Sequence, residues 1–255
     1  SAKTGYTLES STVTIAGDTT ISATFDTANH YVLANDTSTL ATESNTTDYP
    51  DLTQAYKVTL NGVEVSGDDI YLTNGNDYYV KKGATLNLTT KDGYTVASTA
   101  TINKDETISA TLDTSKHYIF GEEGNYTLAT AENVKTNNYP ALTQVYKVTL
   151  PSGITVTGEK YAVGTDTYVK AGAEVTISAA NENQLIKSAT GNVGTLTNGV
   201  YTLTATKDLE VTDATLIWDF TKVFTGNDGT SDKPYTLDTA AKVGYLTDNL
   251  SAGEE

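Results

Sequence analysis

The chain contains no cysteine and no methionine, and its 16 basic residues are all lysine. Without cysteine there is no disulfide framework, no thiolate zinc site and no thiol nucleophile. Histidine is almost absent too: His30 and His117 stand a whole repeat apart, too far to share a metal within one subunit. No Gly-x-Ser-x-Gly elbow accompanies them, so a Ser-His-Asp arrangement has no sequence support. No apolar run reaches the roughly 18 residues a membrane-spanning helix needs. No stretch reads as a signal peptide or sorting tail, as expected of a mature or excised piece. Positive charge is scarce: 32 acidic residues against 16 basic give a formal charge of −16. Such a field repels phosphate backbones and anionic lipid, and it attracts divalent cations. Nucleic acid is therefore not expected as a partner, and the acid excess suits solubility.

What the chain has in abundance is threonine, 49 of 255 residues. Threonine is β-branched and stiff, which suits the exposed face of strands. Apolar residues alternate with polar ones in Tyr56-Lys57-Val58-Thr59-Leu60, in Ala84-Thr85-Leu86-Asn87-Leu88 and in Val175-Thr176-Ile177-Ser178-Ala179. This period of two marks strands with one buried and one wet face. Turn signals such as Asn61-Gly62, Asn74-Gly75-Asn76-Asp77 and Asp92-Gly93 separate them. The spacing predicts an all-β fold of tandem antiparallel β-sandwich modules joined by strand-rich connectors. Asp238 to Leu246 is the best helical stretch, and Tyr49 to Gln54 is expected to form one short turn.

The chain also repeats itself. His30-Tyr31, Leu40-Ala41-Thr42, Tyr49-Pro50, Leu52-Thr53-Gln54 and Tyr56-Lys57-Val58-Thr59-Leu60 recur in order as His117-Tyr118, Leu128-Ala129-Thr130, Tyr139-Pro140, Leu142-Thr143-Gln144 and Tyr146-Lys147-Val148-Thr149-Leu150. Gly5-Tyr6-Thr7-Leu8 matches Gly93-Tyr94-Thr95-Val96, so the first residues fall in the second half of a repeat. The expected division is a partial unit (1–55), a complete unit (56–145) and a third unit with a divergent C-terminal segment (146–255). Within each, a core part (56–112, 146–216) alternates with a Thr-, Asn- and Ala-rich connector. Repeats of this length point to an array of modules rather than a composite pocket.

The core parts carry Tyr79-Val80-Lys81-Lys82-Gly83-Ala84-Thr85-Leu86 and Tyr168-Val169-Lys170-Ala171-Gly172-Ala173-Glu174-Val175. Asp92-Gly93-Tyr94 and Thr107-Ile108-Ser109-Ala110-Thr111-Leu112 follow in the first. This pattern resembles the tandem β-repeats of bacterial cell-surface proteins, the internalin-type B-repeats and immunoglobulin-like surface modules. The third copy departs from it where Ala180 to Gly191 replaces the Asp-Gly-Tyr region. The resemblance implies an extracellular stalk, adhesin or surface-layer component of a prokaryote, and no catalytic residues. Some such modules form a Lys-to-Asn crosslink, but Lys57 and Lys147 fall on the polar phase of their strands.

Two kinds of ligand suit residues of this sequence. Asn227, Asp228 and Asp232 sit in Gly226-Asn227-Asp228-Gly229-Thr230-Ser231-Asp232, where hard oxygen ligands and turn-permitting glycines suit calcium; a plain turn explains the same residues. Tyr78 and Tyr79 are candidate platforms for a carbohydrate, because adjacent strand residues face opposite ways. Leu216, Trp218 and Phe220 read as a core stripe. The expected function is a non-enzymatic structural array that self-associates, with strand exchange between copies as the mechanism. A carbohydrate-binding surface protein that takes cell-wall or host glycans is the alternative.

Overall fold

The computed structural model describes residues 1–10, 12–225, 232, 233 and 235–250. The chain forms two compact units, one of Ser1–Thr114 with Thr130–Ala141, the other of Ser115–Ala129 with Leu142–Glu255. These divide the chain differently from the repeat count. Each second-connector half belongs to a different unit: residues 115–129 to the unit that follows, residues 130–141 to the one that precedes.

The first unit contains β1 (Tyr6–Leu8), β2 (Ala23–Phe25), β3 (His30–Leu33), β4 (Asp36–Leu40), β5 (Leu52–Asn61), β6 (Val63–Ser66), β7 (Ile70–Asn74), β8 (Asp77–Lys81), β9 (Thr85–Thr90), β10 (Tyr94–Thr95), β11 (Thr99–Thr101), β12 (Glu106–Ser109), β13 (Thr111–Leu112) and the one-turn helix α1 (Asn133–Thr136). The second contains β14 (His117–Phe120), β15 (Thr127–Leu128), β16 (Thr143–Thr149), β17 (Ile154–Gly158), β18 (Lys160–Val163), β19 (Asp166–Lys170), β20 (Glu174–Ala179), β21 (Gln184–Gly191), β22 (Leu196–Thr197), β23 (Val200–Thr204), β24 (Leu209–Trp218), α2 (Phe220–Val223) and α3 (Ala240–Leu250). The fold is all-β, as the alternation predicts.

The same brick is built twice. One sheet of the first unit runs β4-β3-β5-β8-β7, and its counterpart runs β15-β14-β16-β19-β18. A second sheet, β11-β9-β6, corresponds to β23-β20-β17. Registers agree at equivalent residues: Tyr56 pairs with Val80, and Tyr146 with Val169. In the second unit the two sheets share one core. Val148, Val169 and Leu209 come from one sheet, and Val156, Ile177 and Tyr201 from the other. The matching first-unit residues Val58, Val80 and Leu88 are buried as well. Burying each such side chain stabilises by about 1.5–3 kcal/mol, which is why the alternation sets the fold.

The sheets are mostly antiparallel, as expected, with one parallel pair in each unit. β12 lies parallel to β5, with Ile108 opposite Leu60, and β24 begins parallel to β16, with Leu209 opposite Val148. A parallel pair needs a crossover of a dozen or more residues, and the intervening second sheet supplies it. Period two is the same for either orientation, so alternation alone does not distinguish them.

Two local expectations change and a third holds. Tyr49 to Gln54 forms no helical turn: Tyr49 is held at φ 53° and β5 starts at Leu52. The short turns come earlier, at Glu43–Asn45 and in α1. The aromatic stripe ends at Trp218, since Phe220 opens α2 and packs on Phe224, Tyr235 and Tyr245. The expected helix is present as α3, where Gly244 lets the helix lie on Trp218; a Cβ there would come within 2.6 Å of the indole nitrogen.

Candidate functional site

Two side-chain assemblies recur at equivalent positions. The first starts from the histidines. His30 opens β3, and its register against Ala55 brings it beside the start of the parallel pair. Its Nε2 lies 3.2 Å from Oδ2 of Asp105, and the other carboxylate oxygen, Oδ1, accepts the backbone N–H of Lys57 at 2.9 Å. The ring meets Tyr79 edge-on, with centroids 5.3 Å apart. In the second unit His117 lies 3.4 Å from Asp208, whose Oδ1 accepts the Lys147 N–H at 2.9 Å, and the ring meets Tyr168 at 6.0 Å.

The lysine side chains continue each assembly. Lys57 Nζ pairs with Asp77 at 2.7 Å, and Thr59 donates to the same carboxylate at 2.6 Å. Lys147 pairs with Asp166 at 3.1 Å. The hydrogen bond to Asp77 raises the pKa of Lys57, while Lys57 and then Thr59 hold the Asp77 carboxyl below its ordinary value. These groups tie β3, β5, β8 and the residue before β12 together at the surface. Each dyad links a histidine on one strand to a carboxylate that also accepts a backbone N–H from the next, which is the geometry of a strand staple.

The second assembly is a clasp. Tyr94 Oη donates to the carbonyl of Pro140 at 2.8 Å, Lys91 Nζ donates to the carbonyl of Tyr139 at 3.1 Å, and the two tyrosine rings meet edge-on at 5.8 Å. Tyr6, Lys3, Tyr49 and Pro50 repeat it, with distances of 3.0, 3.1 and 5.5 Å. Both Tyr49 and Tyr139 have positive φ, a conformation costing a bulky residue about 1–3 kcal/mol. Burial raises the pKa of both Tyr6 and Tyr94 phenols. Gly62 completes the second clasp: at φ 68° it lies under the Tyr139 ring, where a Cβ would approach to 2.3 Å. The Gly-Tyr and Tyr-Pro landmarks were both visible as repeats, but nothing local joins them.

Of the residues chosen from sequence, Asn227 and Asp228 lie outside the described residues. Asp232 is exposed, and no group of three His, Asp or Glu suited to a metal occurs among the described residues. Elsewhere Asp77 is engaged by Lys57, and Asp69 lies 3.7 Å from Lys81. Tyr79 is 6% exposed and Tyr78 half-buried. A sugar platform needs an open ring face, and the Tyr79 ring is taken by His30. An open groove of about 710 Å³ in the second unit is lined by Tyr161, Lys160 and the Lys147–Asp166 pair, with Asp166 its only carboxylate. No described helix is long and apolar enough to cross a membrane. No family model, no curated protein and no solved structure matches the chain.

Proposed function

We propose that this chain is a structural repeat array of the prokaryotic cell surface, working as part of a surface layer, adhesin stalk or filament, and associating with copies of itself. One observation carries the reading. Two cores repeat strand order, pairing register and surface staples, down to the Asp105 and Asp208 carboxylates that cap Lys57 and Lys147. Catalysis asks one site to differ from its surroundings; a repeated module asks each site to match the last. The paired polar groups are spent on holding strands together. The net charge of −16 keeps such modules soluble and gives divalent cations a means to bridge them.

Electron microscopy of the purified chain, with and without millimolar calcium, tests the reading. Ordered sheets or filaments are expected. Dispersed particles under every condition, or turnover of a small substrate, would contradict it.

A further inference from the structure

Residues 12–25 read Thr-Val-Thr-Ile-Ala-Gly-Asp-Thr-Thr-Ile-Ser-Ala-Thr-Phe, and residues 99–112 read Thr-Ala-Thr-Ile-Asn-Lys-Asp-Glu-Thr-Ile-Ser-Ala-Thr-Leu. Nearly the same sequence meets two different fates. In the later copy, Thr99–Thr101 pairs with β9, Ile102 is fully buried, Asp105 caps the Lys57 N–H, and Glu106–Ser109 lies parallel to β5. In the earlier copy, Thr12–Thr14 and Thr19–Ser22 are in no strand. Ile15, the counterpart of Ile102, is 61% exposed, and Val13 and Ile21 are 45% and 55% exposed. Among the described residues Asp18, the counterpart of Asp105, has no hydrogen bond or ion pair. Only Ala23–Phe25 keeps its role, pairing with β1 as β13 pairs with β10.

The exposed apolar side chains line a groove. Leu8, Val13, Ile15 and Ile21 face a space of about 530 Å³. An apolar groove flanked by unpaired backbone is the surface that takes an added strand. The chain itself shows what fills the equivalent space, namely residues 52–88, the first half of a core. A second copy of this chain is a poor occupant, because its own first halves are already closed by β12 and β24.

We infer that residues 12–22 are the closing half of a core, and that they dock a polypeptide with the strand pattern of residues 52–88. Its β5-like strand lies parallel to Thr19–Ser22, its β9-like strand lies antiparallel to Thr12–Thr14, and a backbone N–H at the Lys57 position meets Asp18. Ile15 moves into the core as Ile102 does. The inference rests on the repeat geometry and not on the surface-array reading, so a chain that forms no lattice still tests it.

The test duplicates residues 52–88 directly ahead of Ser1, which is the counterpart of Thr89. Hydrogen exchange is followed by mass spectrometry in the natural chain, the duplicated chain and the duplicated chain carrying Ile15→Asp. Slow exchange at 56–61 and 143–149 shows that both existing cores stay folded. Duplication is expected to slow exchange at 12–15 and 19–22 by about tenfold or more, and Ile15→Asp to reverse this. Unchanged exchange there in the duplicated chain overturns the inference. Concentration-dependent protection of the natural chain together with a dimer mass also overturns it, assigning the groove to a second copy.

Discussion

The phenol of Tyr94 donates to the carbonyl of Pro140, 46 residues further on, at 2.8 Å. This bond fastens the Tyr-Pro segment of a connector to the preceding core, and Tyr6 with Pro50 repeats it.

Tyr94→Phe keeps the ring and removes the donor, leaving the Pro140 carbonyl without that partner. The expected loss is about 1 kcal/mol, with Tyr94→Ala losing about 3–5 kcal/mol because the packing against Tyr139 goes too. Urea unfolding reads both as a lower midpoint at constant slope. Equal losses for the two variants would mean that the hydrogen bond, and not the ring contact, dominates.

Gly62 and Gly75 both have positive φ, but only Gly62 lies under a side chain. Ala at Gly75 meets open space and adds only backbone strain, of about 1 kcal/mol. At Gly62 the new Cβ must also displace the Tyr139 ring. Gly62→Ala is expected to destabilise by at least about 1 kcal/mol more than Gly75→Ala, measured by the same denaturation. Indistinguishable midpoints would show that Tyr139 moves aside freely.

The staple at His30 gives a third comparison. Asp105→Asn retains an acceptor for the Lys57 N–H but loses the charge facing His30, whereas Asp105→Ala loses both. The side chains here are well exposed, so the charge is worth little and the acceptor is the larger part. Exchange at the Lys57 amide should therefore accelerate in the Ala variant and stay slow in the Asn variant. Rapid exchange in both would place the effect in the carboxylate charge.

At alkaline pH the tyrosines decide. Burial first, and then the hydrogen bond to Asp26, pushes the Tyr31 phenol up to about 12; Tyr161 reaches about 12 by burial and its bond to Glu159. The unfolded chain releases these protons near pH 10, while the folded chain keeps them. Their contribution is thus complete below pH 10 and is lost as pH rises towards 12. Urea midpoints should fall across that window, and less steeply in Tyr31→Phe. A variant as steep as the natural chain would remove Tyr31 from the account.

The sequence carries faces and spacing, and these were readable. Leu86, Leu88, Val175 and Ile177 alternate with polar residues and all four are buried; the turn glycines fall between strands. Partners were not readable. Asp105 looks like any acid after a lysine until β12 sets it beside β5, and Tyr139 is only a repeat landmark until Gly62 makes room for its ring. The parallel closing strand is invisible because both orientations share one period. Phe220 left its stripe because Asp219 caps a new helix, accepting from the Thr221 N–H at 3.0 Å.

One module is built twice, each copy closed by a strand running parallel to its first. Backbone nuclear Overhauser contacts test it directly. They are expected between Ile108 and the Leu60 neighbourhood and, equivalently, between Leu209 and the Val148 neighbourhood, both in the parallel pattern. Contacts in one core but not the other, or in the antiparallel pattern, would contradict it.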